Sequence, residues 1–286
     1  MPATYAHYSF GNDCYQLLPD NLKKIVKDNR SLFDLGVHGP DILFYDLIKK
    51  EVEEVGYHMH TEPGKKFFAN AKEVLNNSKE NYEKGLSYVL GFLTHFTFDC
   101  SAHSYVERKR IYNNITHNKV EAEYERYLIE KDGYNPIKFD RSKLTSHNKE
   151  TYKILEPFLP ATSKQIERSL KMQNLVLNLM DKKSLTDRRL KKKILTKHGL
   201  IKQVDLIIDE KPYELCQDSN LRLEKCRELG RQDFPKLLKN FMNFLENKEE
   251  LNKYFDHDFG AWDNYESIPV LSLEEEKEYK LEPHKI

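Results

Sequence analysis

Residues 81–110 constrain the fold of this chain more than any other stretch. Their apolar side chains (Leu86, Val89, Leu90, Phe92, Leu93, Phe96, Phe98) fall on more than one side of a helix. A helix that is apolar all round belongs at the centre of a protein. Within it lies GFLTHFTFDCSAHSYV, which sets His95, Asp99 and His103 at intervals of four. Side chains four apart share a helix face, one turn above the other. At that spacing an imidazole nitrogen and a carboxylate oxygen reach a common cation at about 2.0–2.2 Å. In a straight helix His103 drifts about 80° from His95, because each residue advances about 100°. His103 therefore suits a neighbouring ion. A second pair, His117 and Glu121 in THNKVEAE, is again four apart, on a helix predicted over 117–129 and stopped by Asp132-Gly133. A histidine and a carboxylate on each of two helices is one way metal cages are built inside helical bundles. Asp99, and Asp41 in GVHGPDILFY, lie in or beside apolar segments, where a carboxylate is costly without a counter-charge. A metal ion supplies that charge.

The rest of the chain reads as helix-rich. Periodicity and caps predict helices over 21–32, after Pro63-Gly64, over 163–180, over 184–197 with Ser184 as N-cap, and from Pro235 through Leu245. Gly36 to Asp41 reads as a turn, since Pro40 disfavours helix just before it. Residues 204–208 form the only short strand-like run. The expected fold is all-α, a single domain over 1–286, with a metal-ligand half at about 1–135 and a helical remainder from 136. With hydrophobic residues at 39%, charged residues at 32% and a net charge of +0, the chain is a globular protein without a global field for nucleic acid or anionic membrane. The four cysteines form no CxxC pair, which fits reduced structural thiols. The opening MPATYAHYSFGNDCYQLL lacks a basic region followed by an apolar one, and no stretch approaches the roughly 20 apolar residues needed to span a bilayer. The expectation is a cytoplasmic protein, or a secreted one if the numbering is that of a processed chain.

Each element also has an ordinary reading. His95 alone could be a hydrogen-bonded core histidine, Asp41 a turn residue, and His117 with Glu121 a surface pair. His95, Asp99 and His103 together inside an apolar stretch favour a metal site.

The ordered set H…GPD…H…GFxxHxxxDxxxH…HxxxE, spanning about residues 3–127, resembles the bacterial zinc-dependent phospholipase C family, which includes phosphatidylcholine-preferring enzymes and the catalytic domain of alpha-toxins. The resemblance implies an all-α fold shared with zinc nucleases, and two or three zinc ions. It implies a first site of Asp41, His60, His95 and Asp99, and a second of His103, His117 and Glu121. His7 joins a bridging Asp99 at a third. His58 competes with His60, which is preferred for its place just before the Pro-Gly that opens the next helix. His38 is taken as supporting a ligand or as structural, and His147, His198, His257 and His284 as surface or packing residues. Secreted family members complete the third site with an N-terminal tryptophan. This chain begins Met1-Pro2 and its one tryptophan is Trp262. The third site is thus incomplete, or completed by water or by a processed N-terminus at Pro2.

The activity implied is cleavage of a phospholipid to diacylglycerol and a phosphorylated head group, with Asp41 orienting or deprotonating the attacking water. The alternatives are a zinc nuclease-like phosphodiesterase and a catalytically inactive zinc protein. The run DKKSLTDRRLKKKILTK, with eight basic and two acidic residues, offers a peripheral membrane contact or, less favoured, a nucleic-acid contact, against the plainer reading of a solvated helix face. No appended β-rich lipid-binding domain is evident. The HD-type phosphohydrolases need an adjacent His-Asp pair, and the one here, His257-Asp258, lies far from the other ligands in sequence.

Overall fold

The computed structural model describes residues 4–181, 188–197, 202–260, 264–284 and 286. Among the described residues the elements are all helical. The α-helices are α1 (Thr4–Leu17), α2 (Asp20–Asp28), α3 (Arg30–Val37), α4 (Lys50–His60), α5 (Gly64–Asn77), α6 (Tyr82–Asn113), α7 (His117–Lys131), α8 (Lys149–Leu155), α9 (Ser163–Asp181), α10 (Arg188–Lys197), α11 (Gln217–Leu245) and α12 (Leu273–Glu278). Short 3₁₀ turns join several of them, among them Gly39–Tyr45. None of the described helices is long and apolar enough to cross a membrane.

α6 is the axle. It is buried almost continuously from Gly85 to Val106, and α3 and α11 pack along it. The α3–α6 contact is made backbone to backbone. A Cβ on Gly36 would stand 2.0 Å from the Tyr88 carbonyl oxygen, and one on Gly91 would stand 2.1 Å from that of Phe33. Only paired glycines permit so close an approach. Its consequence for the site is direct: the end of α3 and the Gly39–Tyr45 turn are pressed against the side of α6 that carries His95. Gly39 has φ +51°, a conformation open mainly to glycine. A Cβ there would lie 2.3 Å from the His95 ring.

α6 ends where Asn114 takes a left-handed conformation (φ 50°) and the Ile115 amide donates to the Arg110 carbonyl at 3.1 Å. Thr116 then caps α7, its hydroxyl accepting from the Lys119 amide at 3.2 Å. This reversal returns His117 beside His103, their ring centroids 5.4 Å apart. Further away, the buried Arg141 joins Glu125 of α7 (2.6 Å) to Asp181 of α9 (2.8 Å). Arg222 of α11 likewise holds Glu276 of α12 at 2.8 Å.

Several sequence expectations are corrected. The helix over 21–32 is two helices broken at Asn29, whose side-chain amide donates to the Ile25 carbonyl at 3.0 Å. Such local side-chain bonds compete with helix continuation. The run 204–208 is not strand but lies largely in the 3₁₀ turn Lys202–Leu206. Pro235 does not open a helix; it sits inside α11. The apolar stripe of Leu223, Cys226, Leu229, Phe234, Leu237, Leu238 and Phe241 is buried on both sides of it, and that burial outweighs the cost of a missing backbone donor. Residues 4–17, where the sequence predicts no helix, form α1. Ser184 and His198 lie outside the described residues, as do Met1, Pro2 and Trp262. In the basic run, Lys191 turns inward and donates to the Met180 carbonyl, so the part described is not simply a solvated face.

Candidate metal centre

Five elements converge on one buried cluster. α1 supplies His7, the Gly39–Tyr45 turn supplies Asp41, and the last residue of α4 is His60. α6 supplies His95, Asp99 and His103, and α7 supplies His117 and Glu121. All eight positions singled out from the sequence are brought together. Donor atoms of His7, His95 and Asp99 form one mutually close group, those of Asp41, His60 and His95 a second, and those of His103, His117 and Glu121 a third.

Asp99 is the hub. Its Oδ1 faces His7 Nε2 at 3.2 Å and His103 Nε2 at 3.4 Å. Its Oδ2 faces His95 Nε2 at 3.0 Å and His60 Nε2 at 3.8 Å. His60 Nε2 also meets Asp41 Oδ1 at 3.0 Å. At the other end, His117 Nε2 lies 2.9 Å from Glu121 Oε1, and His103 Nε2 lies 3.5 Å from the same oxygen. His103 thus stands between Asp99 and the α7 pair, in keeping with its rotation along α6.

The imidazoles are aimed from behind. His60 sets Nδ1 2.7 Å from the Gly56 carbonyl oxygen, His95 sets it 3.2 Å from that of Val37, and His103 sets it 2.6 Å from that of Phe259. A carbonyl can only accept, so each ring carries its proton on Nδ1. Each Nε2 lone pair is left pointing into the cluster, the arrangement typical of metal-ligating histidines. The buried atoms His95 Nε2, Asp99 Oδ2, His60 Nε2 and Glu121 Oε2 have no hydrogen-bond partner among the described residues. His95 Nε2 and Asp99 Oδ2 come within 3.0 Å without hydrogen-bonding geometry. Buried polar atoms are rarely left so. A set of nitrogen and carboxylate oxygen donors, closely spaced and aimed inward, fits zinc.

The electrostatics agree. Burial favours a neutral Asp99 carboxyl, but the rings of His103, His95 and His7 hold it well below the usual carboxylate range. Glu121 is held low against the same burial, chiefly by His117. Burial alone would lower the pKa of His117, yet Glu121 and then Glu107 raise it to about 9. Without a metal ion the carboxylates stay charged because protons on rings such as His7 and His117 supply the positive charge that a bound ion would otherwise bring.

The remaining histidines separate cleanly. His58 is 71% exposed and pairs with Glu62 at 3.2 Å, away from the cluster. His38 is buried beside it, with Nδ1 2.8 Å from the Asp34 carbonyl oxygen and a pKa pushed down to about 4 by burial, but it belongs to none of the three groups. His147 meets the Tyr152 hydroxyl at 2.7 Å, and His284 meets Asp233 at 2.7 Å. His257 offers its carbonyl to the Gly64 amide at 2.9 Å.

Two contributors escaped sequence reading. Phe259, far along the chain, accepts from His103 and donates its amide to the His60 carbonyl at 3.1 Å, with its ring 6.0 Å from that of His95. It acts through its backbone, which leaves no signature in a sequence. Glu107 does leave one: it is the fourth step of the ladder His95, Asp99, His103, and it faces His117 from outside the cluster.

The sequence profile described as zinc dependent phospholipase C matches residues 6–172. No curated protein and no solved structure is significantly similar to the chain. The matched stretch covers more than half of the chain and contains all eight converging residues, while Phe259 lies beyond it. On that match, and with a helical fold and an inward-facing set of zinc-type donors to go with it, the chain belongs to the zinc-dependent phospholipase C family.

Proposed function

We propose that this protein cleaves a phospholipid at the phosphodiester bond, releasing diacylglycerol and a phosphorylated head group, with His7, Asp41, His60, His95, Asp99, His103, His117 and Glu121 holding two or three zinc ions. The observation that carries the reading is the placement of Asp99, whose two oxygens face different histidines, as a carboxylate shared between ions requires. Zinc, when bound, neutralises charge on the phosphodiester oxygens and makes water a nucleophile near neutral pH. The protein's own groups do the rest. Backbone carbonyls at Gly56, Val37 and Phe259 fix the imidazoles, so the donors are arranged before substrate arrives. Asp41, turned inward from a rigid Gly-Pro turn and 3.0 Å from His60, orients the attacking water and takes its proton as phosphorus is attacked in line. His117, a quarter exposed, marks the side on which the cluster approaches solvent.

Purified protein is expected to release phosphorylated head group from short-chain phosphatidylcholine, and to stop when a chelator is added. Hydrolysis of single-stranded DNA or RNA with no lipid turnover would replace this reading by a nuclease. Zinc binding with neither activity would leave a non-catalytic zinc protein.

A further inference from the structure

His117 is held differently from its neighbours. His60, His95 and His103 each rest Nδ1 on a backbone carbonyl, whereas Nδ1 of His117 faces a side chain, Glu107 Oε2, at 3.8 Å. Glu107 lies one turn beyond His103 on α6 and is itself clamped. Arg110 Nε donates to Oε2 at 2.8 Å, and Arg110 Nη2 donates to Oε1. His117 is also more exposed than His103 or Glu121, at 25% against 9% and 6%, so packing alone confines it less.

We propose that Glu107 is a positioning residue of the His103–His117–Glu121 group. Its carboxylate accepts a hydrogen bond from Nδ1–H of His117, holds the ring with Nε2 toward Glu121, and so strengthens that group's grip on a metal ion. A shift of about 1 Å brings the pair to hydrogen-bonding distance. The resulting carboxylate–histidine–metal chain is one that commonly fixes ring orientation and raises ligand basicity. Arg110 keeps the carboxylate from swinging into solvent. The groups facing His117 are Glu107, Glu121 and the His103 ring, so no other side chain competes for Nδ1 among the described residues. This proposal rests on the reading that the group holds zinc.

The test is zinc titration of the stripped full-length protein against a chromophoric chelator. Glu107→Gln is expected to weaken one stepwise constant by about 10–100-fold, leaving the others and the melting temperature of the stripped protein unchanged. In a His117→Ala background the same substitution should have no further effect, because the two act as one unit. Long-range ¹⁵N correlation spectra of the zinc form should show the His117 proton on Nδ1. Equal constants for wild type and Glu107→Gln would overturn the proposal, as would a full loss persisting in His117→Ala. If His117→Ala itself changes no constant, the metal-site reading beneath the proposal fails, and the proposal falls with it.

Discussion

Asp99→Asn is expected to strip most of the zinc and to destabilise the helical core around the cluster. Asp99 is 1% exposed and faces His7, His60, His95 and His103. Removing its charge leaves inward-facing cations, protons or metal, without their main counter-charge in a poorly solvated site. Breaking a buried charged set from one side costs on the order of 3–5 kcal/mol. For a chain of this size that corresponds to a fall in melting temperature of roughly 10 °C. Elemental analysis and a thermal melt check both halves of the expectation. Full zinc with an unchanged melt would remove Asp99 from the centre of the account.

Asp41→Asn is expected to behave differently. The amide keeps the shape and hydrogen-bonding reach of the turn residue but cannot take a proton. Most zinc should remain, while turnover of short-chain phosphatidylcholine falls by about two to four orders of magnitude, the usual scale for a general acid-base group. An adjacent contrast fixes the ligand assignment in α4. His60→Ala should cost metal, because the ring lies inside the cluster. His58→Ala should do little, because its exposed ring meets only Glu62. Loss of zinc in His58→Ala with retention in His60→Ala would reverse that assignment, and wild-type turnover in Asp41→Asn would remove its proposed role.

The parts of this architecture legible in the sequence are those where one helix carries both the burial signal and the chemistry. α6 and α7 could be read because all-round apolar character and four-residue spacing are local properties. The Asp132-Gly133 stop after α7 is local too. α1 was not legible. Its stretch TYAHYSFGNDCYQL mixes polar and small residues, and Gly11 is there because a Cβ would strike Val37 at 2.6 Å. A helix packed so closely lacks the apolar stripe by which helices are recognised. α4 was missed for a related reason, since Val52, Gly56 and His60 are its only buried positions. Pro235 misled because burial on both sides of it outweighs a local preference. Within the site, His95, Asp99, His103, His117 and Glu121 were visible as residue types at intervals and Asp41 by its place beside an apolar segment, whereas His7 and His60 came only from the family resemblance. The aiming of the rings was not visible, because Gly56, Val37 and Phe259 contribute carbonyl oxygens that any residue would offer. The closeness of α3 to α6 was equally hidden until the Gly36 and Gly91 backbones were seen in contact.

The most direct test of the central claim is the metal content of the purified protein. Three donor groups linked through Asp99 and His95 predict two or three zinc ions per chain after isolation from zinc-replete cells. Such ions should be removable by a strong chelator, with loss of thermal stability, and should return on dialysis against zinc. Elemental analysis giving two or more equivalents is the expected result. Less than about one equivalent after zinc-replete growth and reconstitution would contradict it, since a structural or catalytic zinc site with this many donors does not stay empty in the metal's presence.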